Sequence, residues 1–363
     1  MKIGIVGLPL SGKSTLFNAL TGSNVDTGAF MTGKTDAHQS IVQVPDDRLE
    51  KLNTIFVPKK KTPAIIDYID LAGLNPAEQK KGGFSDSFLG QVRTVDALLA
   101  VVRAFKDDNV PHPQETIDPK RDLDTIEADF IISDLSIVEN RMQKLQKQMK
   151  SKKLDQDVRE YALLEKCKAS LENEQPLRLL HIAPEEEFMV RGYQFLTLKP
   201  LIIVVNISES DIANNTSLLE PFRERQNQAL TTILAISAQI EMEISQLAEE
   251  EAATFRQDLG IKQSAMDVLI RTSYDLLGLV SFFTVGSDEV RAWTIRKNTA
   301  APQAAGAIHT DFERGFIRAE IVHYNDFMKY ENMVKCKADG LVRLEGKEYI
   351  VKDGDIINFR FAI

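Results

Sequence analysis

The sequence predicts an α/β protein. Its main part is a doubly wound, mostly parallel sheet, interrupted by an antiparallel helical hairpin and followed by a separate small α+β domain. Three observations predict this. Apolar β-runs alternate with helical stretches over residues 1–280, the pattern of a sheet covered by helices on both faces. Residues 124–198 then intrude between two of those β-runs, with apolar residues in steps of three and four. Beyond residue 281 helical periodicity gives way to short β-runs and turns.

Composition fits this layout. The chain has 363 residues, 43% of them hydrophobic, and a formal net charge of −9. That length suits two or three domains. No run approaches the roughly 18 apolar residues a membrane helix needs. The first strand starts at once, which leaves no room for a signal peptide. The cysteines are Cys167 and Cys336, too few for a disulfide framework or a cysteine-rich zinc site. These features point to a cytoplasmic protein without a membrane partner. The acidic balance argues against a wholly basic nucleic-acid binder, and no DNA partner is expected, but a local basic patch remains open.

The first element is the β-run Ile3-Gly4-Ile5-Val6. It passes directly into Gly7-Leu8-Pro9-Leu10-Ser11-Gly12-Lys13-Ser14-Thr15 and then into the helical run Leu16-Phe17-Asn18-Ala19-Leu20. This is G-x-x-x-x-G-K-S in its strand-to-helix setting, the phosphate-binding loop of nucleoside triphosphatases. Glycines let backbone N–H groups cradle phosphate oxygens, and the helix start adds its positive end. Leu10, Ser11, Gly12, Lys13, Ser14 and Thr15 are the expected phosphate-side residues. Lys13 reaches the β- and γ-phosphates in such loops, and Ser14 offers its hydroxyl to Mg²⁺.

The next element is Ile65-Ile66-Asp67-Tyr68-Ile69-Asp70-Leu71-Ala72-Gly73, a β-run ending in D-x-x-G. Asp70 is expected on the metal side, through water, and the Gly73 N–H is expected to sense the γ-phosphate. Ras-like enzymes place a water-orienting Gln next; here it is Leu74. An apolar side chain cannot align water, so hydrolysis is expected to be slow or helped by another group.

The β-run Leu201-Ile202-Ile203-Val204-Val205 leads to Asn206-Ile207-Ser208-Glu209, where GTPases carry N-K-x-D. The Asp of that motif accepts hydrogen bonds from guanine. Glu209 in its place weakens the guanine reading and leaves adenine open. A further β-run, Ile233-Leu234-Ala235-Ile236, ends in Ser237-Ala238, whose backbone is expected near the base. Asn206, Ile207, Glu209, Ser237 and Ala238 form the expected base-side set.

Within the insertion, Leu135, Val138, Met142, Leu145 and Met149 form one seam, and Tyr161, Leu164, Cys167 and Leu171 a second. A polar stretch from Lys150 to Asp155 separates them, which predicts an antiparallel coiled-coil hairpin. Arg141, Lys144, Lys147, Lys150, Lys152 and Lys153 make its first arm and tip basic, with no acidic residue from 141 to 154. That is a local field for phosphates; the competing reading is a solvated helix face. The C-terminal β-runs are Phe282–Val285, Arg291–Ile295, Gly315–Ile321, Tyr349–Val351 and Ile356–Phe359. Asp353-Gly354-Asp355 predicts a hairpin turn between the last two.

These residues together resemble the YchF/Obg-like ATPase family over essentially the whole chain. The stretches that carry the resemblance are Gly4–Pro9 with Gly12–Leu20, Asp67–Gly73, Phe195–Pro200, Glu289–Ile295, Ala301–Gly306 and His309–Ala319. The resemblance implies a C-terminal β-grasp (TGS) domain over 281–363. It also implies a nucleotide domain over 1–280 interrupted by the coiled-coil insertion, and association with the ribosome or ribosomal RNA through hairpin and TGS domain. Binding and slow hydrolysis of ATP in preference to GTP, with Mg²⁺, are implied likewise. A GTPase of the same fold, or an adaptor that binds ATP without turnover, are the alternatives. A monomer is expected.

The chain departs from the family at three places. Leu10-Ser11 stand where the family usually has Asn-Val, positions that mostly present backbone. The family's metal-binding Thr of the first switch falls on Lys34, with Thr35 next to it. An ammonium cannot ligate Mg²⁺, so Thr35 takes the role by a one-residue shift, or Lys34 contacts phosphate, or the switch is impaired. The Gly- and Lys-rich loop after Gly73 is largely lost. His112, in the Pro-flanked loop Asn109–Pro113, is a candidate to assist hydrolysis in place of the missing Gln, against a plain loop histidine. His309 and Asp311 read as part of the small domain's structure.

Overall fold

The computed structural model describes residues 1–22, 38–71, 83–152 and 154–362. They divide into two compact bodies, one of residues 1–40 and 67–266, the other of 41–66 and 267–363.

The first body is the doubly wound α/β domain. Strands β1 (Lys2–Val6), β4 (Ile65–Asp70), β5 (Ala97–Arg103), β6 (Leu201–Asn206) and β7 (Thr231–Ile236) stand in the order β4-β1-β5-β6-β7, with β2 (His38–Gln43) at the β4 edge. The pairings of β1 with β4 and β5, of β5 with β6, and of β6 with β7 are all parallel. β5 and β6 are buried at every residue. Strands covered on both faces read as continuous apolar runs, which is why these are visible in the sequence. Leu98, Val102, Ile203 and Val205 meet Leu123, Ile126 and Phe130 in one core.

Helix α1 (Lys13–Thr21) starts after Gly12 and ends at Gly22, both left-handed, at φ 94° and 62°. Glycine is the residue that takes this conformation without a Cβ clash. Helix α2 (Asp47–Phe56) lies in the second body. Helix α3 (Asp86–Arg93) is capped by Ser85, whose hydroxyl accepts from the Phe88 N–H.

The insertion is a helical hairpin of α4 (Pro119–Ser151) and α5 (Asp155–Glu172). It begins a few residues before 124, because Asp118 caps α4 and Pro119 occupies its first turn. Both expected seams are in its core: Val138, Met142 and Leu145 pack with Leu164, Cys167 and Leu171, and Leu135, Met149 and Tyr161 pack against them. Arg141 faces inward across the hairpin to Glu160, at 2.8 Å, and to the Tyr193 hydroxyl, at 3.0 Å. It therefore leaves the basic stripe, and Lys153 lies outside the described residues. Lys144, Lys147, Lys150 and Lys152 remain exposed.

The second body is built on a mixed sheet of β3 (Lys60–Thr62), β8 (Leu279–Thr284), β9 (Glu289–Arg296), β10 (Phe316–His323), β11 (Arg343–Glu345) and β12 (Asp355–Phe361) in the order β11-β10-β12-β8-β9-β3. β12 runs parallel to β8 and antiparallel to β10, and β8 is antiparallel to β9. The helix Ala301–Ile308 lays Ala301, Ala304 and Ala305 on Phe282, Ile321 and Phe359. A helix laid across a sheet whose middle pair is parallel is the β-grasp arrangement.

Two features of this body differ from the sequence reading. It takes in 41–66 and 267–280: β3 pairs in parallel with β9, and Phe56 of α2 stacks on Phe327 at 5.5 Å between centroids. Tyr349–Val351 is not a strand. Ile350 makes a single bridge to Ala300, and the Val351 N–H bonds the Thr299 carbonyl. The turn at Gly354 is present, at φ 85°, but it closes no hairpin. Asp353 instead accepts from the Ser281 N–H at 2.9 Å and pairs with Arg48 at 2.6 Å. His309 caps the short helix Thr310–Arg314 through Nδ1, which accepts from the Asp311 N–H.

Candidate functional site

The C-terminal ends of β1, β4, β6 and β7 are where a doubly wound sheet gathers its loops. The phosphate loop leaves β1 there. Leu10, at φ 60°, and Gly12, at φ 94°, turn the chain so that α1 starts under the loop. A Cβ on Gly12 would sit 2.1 Å from Asn206 Nδ2, so glycine is required by close approach as well as by φ.

Lys13 is half-buried, and its ammonium donates to the Leu8 carbonyl at 2.8 Å. Burial pulls its pKa from 10.5 down to about 8, and the negative charge of Asp70 offsets part of that fall. A desolvated cation held by a neutral carbonyl is a site that favours an anion. Ser14 Oγ donates to Asp70 Oδ2 at 2.9 Å, across 56 residues of sequence, and Asp70 is 1% exposed. A hydroxyl and a carboxylate oxygen placed side by side at this end of the sheet are hard donors of the kind Mg²⁺ takes beside phosphates. Thr15 continues the first turn of α1, half-buried.

Asn206 closes the loop system. Its Nδ2 donates to the Ser11 carbonyl at 3.0 Å, and its Oδ1 accepts from the Ala238 N–H at 3.0 Å. One buried amide thus ties the phosphate loop to the Ser237-Ala238 loop. The sequence motif assigns Asn206 to the base; the geometry gives it this strut as well, leaving one Nδ2 hydrogen for a ligand. Ile207 is buried in the sheet core, while Glu209 is exposed in a short turn, Glu209–Asp211, with its carboxylate toward solvent. Ser237 is buried at the end of β7.

His112 is held within its own loop. Nδ1 accepts from the Gln114 N–H at 3.1 Å, so Nε2 carries the proton that bonds Asp122 Oδ2 at 2.9 Å. Both ring nitrogens are occupied, and the side chain is 4% exposed. Gly73, Thr35, Lys34 and Leu74 lie outside the described residues.

Arg103 and Phe105 belong to no motif visible in the sequence. Arg103, at the end of β5, is 2% exposed; its Nε donates to the Phe105 carbonyl at 3.2 Å and its guanidinium lies 4.4 Å from the Phe105 ring centroid. The ring borders the phosphate loop, 4.0 Å from where a Gly12 Cβ would stand. The one signal for the pair is a charged residue closing an otherwise apolar β-run.

Comparisons with known proteins agree with this architecture. A family model described as 50S ribosome-binding GTPase matches residues 2–207, and the YchF-GTPase_C model, described as a protein of unknown function, matches residues 279–362. The ribosome-binding ATPase YchF of Bacillus subtilis is 43% identical over 99% of both chains. That of Escherichia coli O157:H7 is 40% identical over 100% of this chain and 99% of its own. The solved structure of the Schizosaccharomyces pombe YchF GTPase superposes with a TM-score of 0.87 at 37% identity, covering 99% of this chain and 97% of that one. With relatives this similar along its full length, the chain belongs to the YchF family.

Proposed function

We propose that this chain is a ribosome-associated nucleotide switch of the cytoplasm that binds ATP and hydrolyses it slowly. The observation that carries the reading is Lys13, a half-buried ammonium with a lowered pKa and a neutral carbonyl as its partner, at the head of a helix. A triphosphate adds negative charge there beyond that of Asp70. Ser14 and Asp70 would hold Mg²⁺, which would neutralise phosphate charge when bound. Asn206 keeps the phosphate and base loops in register, and Gly73 and Thr35 are assigned the γ-phosphate and metal roles of the two switches. Ile207, buried, and Glu209, exposed, replace the guanine-reading pair, which supports ATP over GTP. Leu74 in place of Gln supports slow turnover. The exposed lysines Lys144, Lys147, Lys150 and Lys152, with the β-grasp body, support contact with ribosomal RNA.

Competition of ATP and GTP for one fluorescent nucleotide tests the base assignment; preference for GTP overturns it. Single-turnover hydrolysis with and without ribosomes tests the enzyme. Tight ATP binding with no phosphate release in either condition replaces the ATPase by an adaptor. Lys13→Ala is expected to abolish binding with the fold intact, and undiminished binding would remove the site.

A further inference from the structure

The root of the hairpin is fastened to the chain that follows the β4 strand end. Gly83, at φ 96°, lies against the carboxylate of Asp129 on α4, where a Cβ would come within 3.2 Å of Oδ1. The Phe84 N–H donates to Asp129 Oδ2 at 3.1 Å. The Phe84 ring stacks on Phe88 of α3 at 4.7 Å and on Phe130 of α4 at 5.7 Å between centroids. At the far end of α3, Arg93 returns to the same helix: Nη1 donates to Asp134 Oδ1 at 2.8 Å and Nη2 to Ser133 Oγ at 2.7 Å. Asp134 is fully buried, and its second oxygen accepts from the Thr197 N–H and hydroxyl, both at 2.8 Å.

Asp129 and Ser133, like Phe130 and Asp134, stand four residues apart, so both contact points lie on one face of α4. Helix α3 is thus clamped to the hairpin root at its two ends, once by an aromatic stack with a backbone donor and once by a buried ion pair. Sliding α3 along α4 would leave the Asp134 carboxylate buried without its guanidinium, which is strongly disfavoured.

We propose that this double clamp, Phe84 on Asp129/Phe130 and Arg93 on Ser133/Asp134, couples the nucleotide site to the hairpin by making α3 and the hairpin root move as one body. In Ras-like switches the chain after D-x-x-G takes different positions with and without the γ-phosphate. Here that chain leads into α3, and displacing α3 alone would break both sets of contacts with α4. The inference rests on the nucleotide reading of the Lys13 site. It adds a mechanical route from that site to the basic tip.

Hydrogen exchange on the full chain tests it, with ADP against a non-hydrolysable ATP analogue. In the parent, protection of the amides of α4 and α5 should differ between the two nucleotides. In Phe84→Ala/Asp129→Ala that difference should disappear, while the amides of residues 7–16 stay protected by either nucleotide. Arg93→Gln, which leaves the aromatic stack in place, is the second variant should the first melt below the assay temperature; it should also lose the difference. A hairpin that exchanges identically with both nucleotides in the parent, with the loop protected, overturns the coupling. So does a variant that keeps the parental difference. Lack of protection at residues 7–16 with either nucleotide removes the nucleotide reading itself, and the coupling with it.

Discussion

The ammonium of Lys13 makes nucleotide affinity proton-linked on the alkaline side of neutrality. In the free protein its pKa is pulled down to about 8 by burial, only partly opposed by Asp70. Several phosphate charges at the same nitrogen favour the charged form and return the pKa to the ordinary lysine range or above. In the free chain about nine-tenths of Lys13 is then charged at pH 7 and about one-tenth at pH 9. If the charged form is the one that binds, ATP affinity falls about tenfold from pH 7 to pH 9, or about 1.4 kcal/mol. Binding at pH 9 takes up close to one proton.

Stability runs the opposite way. The folded pKa lies below the unfolded one, so between about pH 8 and 10.5 the unfolded chain holds more protons and the free protein gains stability as pH rises. Below that window Lys13 is charged in both states and contributes no pH dependence. Titration with a fluorescent ATP analogue from about pH 7 to 9.5, with calorimetry in two buffers of different ionisation enthalpy, reads both quantities. Flat affinity together with zero proton uptake at pH 9 would refute the reasoning. Lys13→Met should abolish binding and flatten this part of the pH–stability curve.

Four further sets of substitutions separate structural from ligand-facing roles. Asn206→Ala leaves the buried Ser11 carbonyl and Ala238 N–H unpaired; a loss of about 2–4 kcal/mol is expected in urea unfolding, with weaker ATP binding. Ser11→Val removes a buried hydroxyl that has no hydrogen-bond partner among the described residues and should raise the unfolding free energy by about 1 kcal/mol; a lower midpoint would show that the second methyl does not fit beside Gly7. Changing Lys144, Lys147, Lys150 and Lys152 to Gln should weaken ribosome association and flatten its salt dependence by about 0.7–0.9 for each phosphate no longer neutralised. Arg141→Gln should lower stability and leave that salt slope unchanged, because Arg141 serves Glu160 and Tyr193.

What the chain alone makes legible follows from how local each signal is. The phosphate loop is contiguous, and β5 and β6 are apolar up to their last residue because both faces are covered, so all three are plain. The hairpin seams are visible because coiled-coil spacing is itself a local pattern. Pairings made across long stretches of sequence are not. Lys59-Lys60-Lys61 has no apolar alternation to mark a strand, yet Lys60–Thr62 is the strand that joins β9, with Thr62 bonding Glu289 across 227 residues. Tyr349–Val351 has strand-like composition but meets the start of a helix, where only one bridge forms. Arg141 resembles a phosphate ligand because its partner, Glu160, lies on the other arm of the hairpin, beyond the basic run.

The same distinction bears on binding and catalysis. The parts assembled at the C-terminal ends of the strands are those proposed to hold a nucleotide: Lys13 tucked against Leu8, Ser14 on Asp70, and Asn206 bracing two loops. No group with comparable placement activates water among the described residues. His112 has its Nδ1 lone pair engaged by the Gln114 N–H and its Nε2–H directed at Asp122, so neither ring nitrogen faces an attacking water. The position after Gly73 is Leu74, which has no polar atom to offer. Neither position supplies a group that would lower the barrier to hydrolysis, whereas Lys13 and Ser14 are in place on the phosphate side. Under the proposed function the triphosphate state is long-lived. A partner that speeds hydrolysis would then set its lifetime, and the proposed clamp of the hairpin to α3 would give such a partner a handle on the nucleotide.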